Sequence, residues 1–540
     1  MYKLYNQLLK IMNDSGPDSS YLKPQSSHLK HLPKKIIIII GAGFSGLSAC
    51  SFMALAGWEV HVFEKHDKPG GRARQLTEKG FVFDMGPSWY WMPDVFERYF
   101  KQFGKNVSDY YQLQRLDPSY RIYWNDGPLD IPAGIQPLKE LFENMEPGAG
   151  RQLDKFLREA AYKYKTGIQK LVFKPGQSFS EFLDWDIIKG VFKLDVFTSM
   201  EKHVHKYFHH PKLRQILEFP VLFLGALPKD TPALYSLMNF ADMSGGTWYP
   251  RRGMYSIVNA MYDLAVQSGV IFHFNEDVKR IKISGGIATS IVSKYTASDH
   301  GEATEYAADV IIAAADYHFV ETRLLPAAAR SYSDDYWDNR VMAPSCLIYY
   351  VGLNKRLHNM QHHTLFFDVP FDQHAGEIYT TKEWPSNPLF YVSATSVTDD
   401  SVAPPGCENL FFLVPVAAGL DNDTEEVRDK YFNMIVDRLE HHIGQDIRNS
   451  IIYKRSFAHS DFIDDYNSFR GNAYGLANTL LQTAVLKPSC RSKKISNLFY
   501  TGQLTVPGPG VPPSLISGEV VASEVIKHYG SKANERARDY

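Results

Sequence analysis

Six residues near the start of the chain have the types and spacing to hold a dinucleotide. Gly41, Gly43 and Gly46 form a G-x-G-x-x-G turn in the stretch Gly41-Ala42-Gly43-Phe44-Ser45-Gly46, and Glu64 lies 23 positions beyond Gly41. In such a turn the first glycine allows the tight bend, the second lets the backbone approach a pyrophosphate, and the third lets the next helix pack closely on the strand. A carboxylate at the position of Glu64 can accept hydrogen bonds from the adenosine ribose hydroxyls. Gly71 and Arg72, in "EKHDKPGGRAR", add a second glycine turn and a guanidinium able to neutralise a diphosphate bidentately. Taken alone, that second motif reads better as an ordinary turn with Arg72 in solvent.

These residues need particular elements to position them. Lys35 to Ile40 is apolar and β-branched after its lysine, as expected of a central parallel strand buried on both faces. Phe44 to about Ala56 reads as a helix whose first N–H groups and dipole face the phosphates, and Gly57 ends it. "WEVHVFEK" is then the second strand, with Glu64 near its end. The order strand, turn, helix, strand, acid favours nucleotide binding but does not separate NAD from FAD.

Composition excludes several other functions. The 58 basic and 60 acidic residues nearly cancel, so no global field draws the chain onto nucleic acid. The four cysteines, Cys50, Cys346, Cys407 and Cys490, are widely separated, which argues against a disulfide framework or a zinc site and fits a reducing compartment. His203, His205, His209 and His210 have no cysteine or carboxylate at ligand spacing, so they read as a solvated helix end and no metal is expected. No apolar run reaches about 18 residues, so no membrane span is expected. Residues 1–33 are polar and read as a flexible extension.

Longer stretches carry a resemblance. They are "FDMGPSWYWMPDVFERYF" (Phe83 to Phe100), "RLDPSYRI" (Arg115 to Ile122), "GGTWYPRRGM" (Gly245 to Met254), "SVTDDSVAPPGCENLFFLVPV" (Ser396 to Val416), "GNAYGLANTLLQTAVLKP" (Gly471 to Pro488) and "NLFYTGQLTVPGPGVPPSLISGEVVA" (Asn497 to Ala522). With the glycine turn, the chain resembles the flavin-dependent amine oxidase-like superfamily, and within it the bacterial-type phytoene desaturase family of carotenoid biosynthesis. The resemblance implies FAD and an α/β fold: a Rossmann-like FAD-binding domain built from discontinuous segments, with an interleaved α+β substrate domain. The expected pieces are 34–100, 243–316 and 487–530 for FAD, and 101–242 and 317–486 for substrate binding and membrane association, with 531–540 a tail.

The resemblance also assigns residues. Gly86, Pro87 and Ser88 would pass close to the isoalloxazine, Val278 would give the adenine a backbone contact, and Gly502, Gln503, Gly510 and Val511 would meet the ribityl chain and pyrimidine end of the flavin. Many superfamily members have an acid where Gln503 stands, and the family more often has glycine where Arg252 stands. Trp89, Tyr90 and Trp91 either line the substrate tunnel or pack in the core. Val278 either touches the nucleotide or is a plain core residue. "ILEFPVLFLGALP" (Ile216 to Pro228) either dips into one leaflet or is buried against the FAD domain.

The implied activity is desaturation of phytoene by repeated hydride transfer to flavin and proton loss, toward lycopene, with dioxygen or a quinone as electron acceptor. The implied location is cytoplasmic, peripherally on the inner face of the membrane. No catalytic residue is singled out. Other readings within reach are a desaturase or isomerase of a C30 or hydroxylated carotenoid, a flavin amine oxidase, and a non-catalytic lipid-binding relative such as the Rab GDP-dissociation inhibitors.

Overall fold

A computed structural model describes residues 35–178, 181, 195, 197–298 and 302–536. The expected extension, 1–33, lies outside the described residues, as do 537–540. In chain order the elements used below are β1 (Ile36–Ile40), α1 (Phe44–Leu55), β2 (Glu59–Glu64), β3 (Tyr120–Trp124), β4 (Gly127–Ile131), β5 (Ile271–Phe274), β6 (Glu276–Ser284), β7 (Val310–Ala313), β8 (Ser345–Leu353), β9 (His363–Phe366), β10 (Phe390–Ser393), β11 (Glu408–Val416), α2 (Glu425–Ile443), β12 (Ile451–Phe457), β13 (Leu498–Tyr500) and α3 (Val511–Arg536).

A five-stranded parallel sheet, ordered β13-β7-β1-β2-β5, places the isoleucine strand at its centre. Ile37, Ile38 and Ile39 are fully buried, as a strand covered on both faces requires. The chain supplies these strands from four separate regions, so the dinucleotide fold is assembled from discontinuous pieces. Helix α1 packs on α3, and the approach is close: a Cβ on Gly518 would lie 2.4 Å from the carbonyl oxygen of Ser45. Pro512 and Pro513 sit in the first turn of α3, where a missing N–H is harmless. The sequence suggests that this helix ends near His528, with a tail from 531. It continues instead to Arg536, because Gly530 keeps helical backbone and does not turn left-handed.

"GVIFHFNEDVKRIKIS" (Gly269 to Ser284) alternates as a strand pair would, but the two strands it holds do not pair with each other. Asn275, at φ +59°, breaks the run, so β5 joins the parallel sheet beside β2 while β6 pairs antiparallel with Ile287–Tyr295.

The second body is a seven-stranded mixed sheet, ordered β12-β8-β11-β10-β9-β3-β4. Every residue of β8 is buried, since both faces are covered. One face packs on α2 through Tyr349, Val351, Phe412 and Val414 against Tyr431, Ile435 and Leu439. The other face carries Cys346, Ile348, Tyr350 and Leu413 toward the interior. Asp423 and Glu426 suggest a capping box for α2, but Thr424 is the cap and accepts from the N–H of Val427, while Asp423 pairs with Arg428 at 2.7 Å. Gly444, at φ +66°, ends the helix. In the apolar stretch after Ile216, the side chains of Ile216, Leu217, Phe219, Val221 and Ala226 are buried, the first four in one core with Ile122 and Leu365 of the mixed sheet rather than against the parallel sheet. No described helix is long and apolar enough to cross a membrane.

Candidate functional site

The C-terminal ends of β1, β2 and β7 and the start of α3 open on one cavity of about 480 Å³. Gly41, Gly43, Glu64, Gly71 and Arg72 line it. So do Gly86, Pro87 and Ser88, following the strand Phe81–Asp84, and Val278 on β6. Gly502, Gln503, Gly510 and Val511 close it at the base of α3. Gly46 is absent from the lining and acts behind it: a Cβ there would stand 2.0 Å from the carbonyl oxygen of Gly41. Gly43 is the opposite case, since a Cβ on it would meet no heavy atom within 4 Å and would project into open space.

Glu64 is buried and doubly held. Oε2 accepts from the N–H of Ala42 at 2.8 Å and Oε1 from that of His66 at 3.0 Å, so the acid fastens the glycine turn as well as facing the cavity. Burial raises its pKa above the usual carboxylate value, against the two amide donors that lower it. Arg72 donates through Nη2 to Ser468 Oγ at 2.9 Å and lies 5.4 Å from the Tyr466 ring centre. Its Nε has no hydrogen-bond partner although it is shielded from solvent. Burial lowers the guanidinium pKa, and the buried carboxylate of Asp316 opposes that.

Two carboxylates absent from the predicted set hold the cavity's frame. Asp316, just after β7, lines the cavity and accepts from the N–H groups of Phe319 and Phe469 at 3.1 and 3.2 Å. Asp84 accepts from Met254 and Tyr255 at 2.7 and 3.0 Å, and burial pushes its pKa up to about 7. It thereby ties the turn Arg251-Arg252-Gly253 to the strand before Gly86. Arg252 adopts φ +72° there, a left-handed conformation that suits the glycine more usual in the family, and its N–H is caught by Asp399 at 2.6 Å. Its side chain is exposed and does not line the cavity. Gln503 donates through Nε2 to Asn472 Oδ1 at 2.9 Å.

Beyond Ser88 the same cavity becomes apolar and aromatic, with Trp89, Trp91, Phe219, Leu365, Phe367, Tyr391 and Leu413 in its wall. Trp89 and Trp91 therefore lie in the cavity wall. Tyr90 takes the core reading: it is fully buried, its hydroxyl lies 3.0 Å from that of Tyr111, and its ring rests 4.6 Å from Phe96. An extended backbone sends alternate side chains to opposite sides, which separates Tyr90 from its two neighbours.

His203 is buried, not solvated. Glu159, Asp195 and His203 come close enough together to share an ion. A cation already stands among them, because the Lys163 ammonium lies 2.9 Å from Asp195 Oδ2 and 3.4 Å from His203 Nε2.

Comparison with known proteins decides the family. Residues 44–526 match the model of the flavin containing amine oxidoreductases. The chain belongs to that family. It is 40% identical over 494 residues to a carotenoid 3,4-desaturase of Haloarcula japonica, covering 91% of this chain and 98% of that protein. It is 31% identical over 496 residues to a zeta-carotene-forming phytoene desaturase of Myxococcus xanthus, covering 91% and 93%. An oxidoreductase from Methanosarcina mazei shares the fold, with a TM-score of 0.59 at 16% identity, over 90% of this chain and all of that one. Within the family the chain is thus a bacterial-type carotenoid desaturase, an oxidoreductase with FAD as cofactor. The cavity suits that cofactor: Gly43 leaves room for a close ligand, and Arg72 keeps an unused buried donor.

Proposed function

We propose that the protein introduces a carbon–carbon double bond into an acyclic carotenoid. The observation that carries this reading is one unbroken cavity running from the glycine turn at Gly43 to a wall of aromatic and aliphatic side chains. The carboxylates along it, Glu64, Glu276, Asp277, Asp316 and Asp465, belong to the nucleotide end, so the apolar arm suits a hydrocarbon better than an ammonium. The 40% identity to a carotenoid 3,4-desaturase supports an already conjugated carotenoid, desaturated at its 3,4 bond, as the first reading. Phytoene, taken toward lycopene, is the second, supported by the 31% relative.

In this reading Gly41, Gly43, Gly71 and Arg72 would hold the diphosphate of FAD, Glu64 the ribose, Val278 the adenine, and Gly86 to Ser88, Gly502, Gln503, Gly510 and Val511 the flavin. FAD supplies the hydride acceptor, with dioxygen or a quinone restoring it. Trp89, Trp91 and Tyr391 hold the polyene flat and exclude water, and their π faces favour any positive charge developing on it. The start of α3 would bring the positive end of its dipole and the N–H of Val511 to the pyrimidine end of the ring, Pro512 and Pro513 having no N–H to offer. Because the substrate resides in lipid, the protein would work as a peripheral enzyme at the membrane's inner face.

Holoprotein mixed with liposomes carrying either phytoene or a conjugated acyclic carotenoid tests the reading, with products separated by chromatography. A product longer by one double bond from the conjugated carotenoid supports the 3,4 assignment, and stepwise products from phytoene support the second. If neither substrate changes while an amine is oxidised, the carotenoid reading fails.

A further inference from the structure

Behind the aromatic wall runs a line of polar groups that neither cofactor binding nor apolar packing accounts for. Tyr391, on β10, faces the cavity, and its hydroxyl lies 2.6 Å from Nδ1 of His363 on the neighbouring strand β9. The His363 ring is fully buried and stacks on Trp89, with centres 4.2 Å apart and planes 7° from parallel. Its Nε2 has no partner, and neither does Nε2 of His362, whose ring centre is 4.5 Å away. Nδ1 of His362 in turn lies 2.8 Å from Thr398 Oγ1, on a half-buried residue. The series leads from the cavity wall toward the surface.

Leaving a buried imidazole nitrogen unpaired costs about 1–3 kcal/mol. A wall built only to hold a hydrocarbon would be more stable with apolar side chains at these positions. The reaction proposed above, on which this inference rests, needs a proton acceptor at this place: it removes a hydride from one carbon and a proton from its neighbour. Two other polar groups in the apolar arm do not suit the task. His374 has both nitrogens engaged, Nδ1 accepting from the N–H of Leu389 at 2.9 Å and Nε2 donating to the Pro415 carbonyl at 3.0 Å. Burial pushes the Cys346 thiol up to about 12.

We propose that Tyr391 and His363 together accept the substrate proton, with His362 and Thr398 as its way out. As the hydride departs with its electron pair to the flavin, the C–H bond on the adjacent carbon breaks and its electron pair becomes the new π bond. The released proton passes to the Tyr391 oxygen while the phenolic proton passes to Nδ1 of His363. Loss of the Nε2 proton toward His362 then returns the ring to neutrality. Burial holds both imidazoles well below the ordinary histidine range, so both are neutral at rest and neither retains the proton. A hydrogen next to a carbon that is losing hydride is acidic enough for so weak a base.

The test uses wild-type, Tyr391→Phe and His363→Gln holoproteins with the conjugated carotenoid. Both variants should carry the wild-type amount of FAD. Y391F should keep KM and lose about 100-fold in kcat, within the range for a positioned acid–base group. Deuterated solvent should slow single-turnover flavin bleaching in the wild type and not in Y391F. Independently of turnover, nitrogen NMR of protein labelled at histidine should show His363 with a bare Nδ1 and a protonated Nε2. A Y391F enzyme within about threefold of wild-type kcat, or a His363 protonated at Nδ1, would overturn the relay. Should wild-type holoprotein leave every carotenoid unchanged, the desaturase reading falls first and the relay with it.

Discussion

Gly43→Ala separates the cofactor role of the glycine turn from its folding role. A methyl group on Gly43 meets no protein atom within 4 Å, and its φ of −76° is open to any residue. The FAD-free protein should therefore lose no more than about 0.5 kcal/mol. The methyl fills the space through which the backbone approaches the diphosphate. Loss of two charge-assisted hydrogen bonds, at about 1.5–3 kcal/mol each, weakens FAD binding by about 10²–10⁴-fold. With FAD at about 100 times the wild-type Kd, the ligand stabilises the wild type by about 2.7 kcal/mol and the variant by no more than about 0.4 kcal/mol. Gly46→Ala should behave otherwise. Its methyl would stand 2.0 Å from the Gly41 carbonyl oxygen, so backbone must shift, and about 1–3 kcal/mol is lost with or without FAD. Denaturant unfolding of both variants, each with and without FAD, gives the four numbers. If G43A loses as much FAD-free stability as G46A, or gains the full wild-type increment from FAD, the reasoning is refuted.

Three further outcomes follow from the geometry. Arg72→Met should weaken FAD binding by about 10–100-fold, the worth of one charge-assisted contact, as measured by calorimetry; unchanged affinity would place Arg72 outside the cofactor site. Arg252→Gly should raise stability by about 1 kcal/mol, since φ +72° strains an L-residue; a lower melting temperature would show that the arginine side chain does more than its position suggests. Asp242, held by the hydroxyls of Tyr120 and Thr247 at 3.0 Å each, has its pKa pushed by burial up to about 7, above its unfolded value of about 3.9. The folded state then binds the proton more tightly, so ionisation lowers stability as pH rises from about 4 to 7. Asp242→Asn should flatten that decline in melting series, and an unchanged slope would contradict the assignment.

What the sequence reveals here is what is local. Ile36 to Ile40, the glycine turn and Glu64 fall within about 30 residues, and their order dictates strand, helix and acid together. Pro512 and Pro513 mark the start of α3 for an equally local reason. The frame of the cavity is non-local. Asp84 meets the turn at Gly253, and His363 meets Trp89, across sequence separations that carry no periodic signal. His203 looks solvated beside other histidines until Lys163 and Asp195, on different segments, enclose it. Tyr90 is lost to the core by the alternation of an extended chain, which a run of three aromatic residues conceals.

The central claim is that flavin and polyene share one cavity and exchange a hydride there. Holoprotein mixed anaerobically with a conjugated acyclic carotenoid, followed by diode-array absorbance, tests it most directly. The account predicts that the flavin band bleaches as the polyene bands shift to longer wavelength, with one new double bond per flavin. A flavin that stays oxidised with every acyclic carotenoid, phytoene included, yet bleaches with an amine, would contradict it.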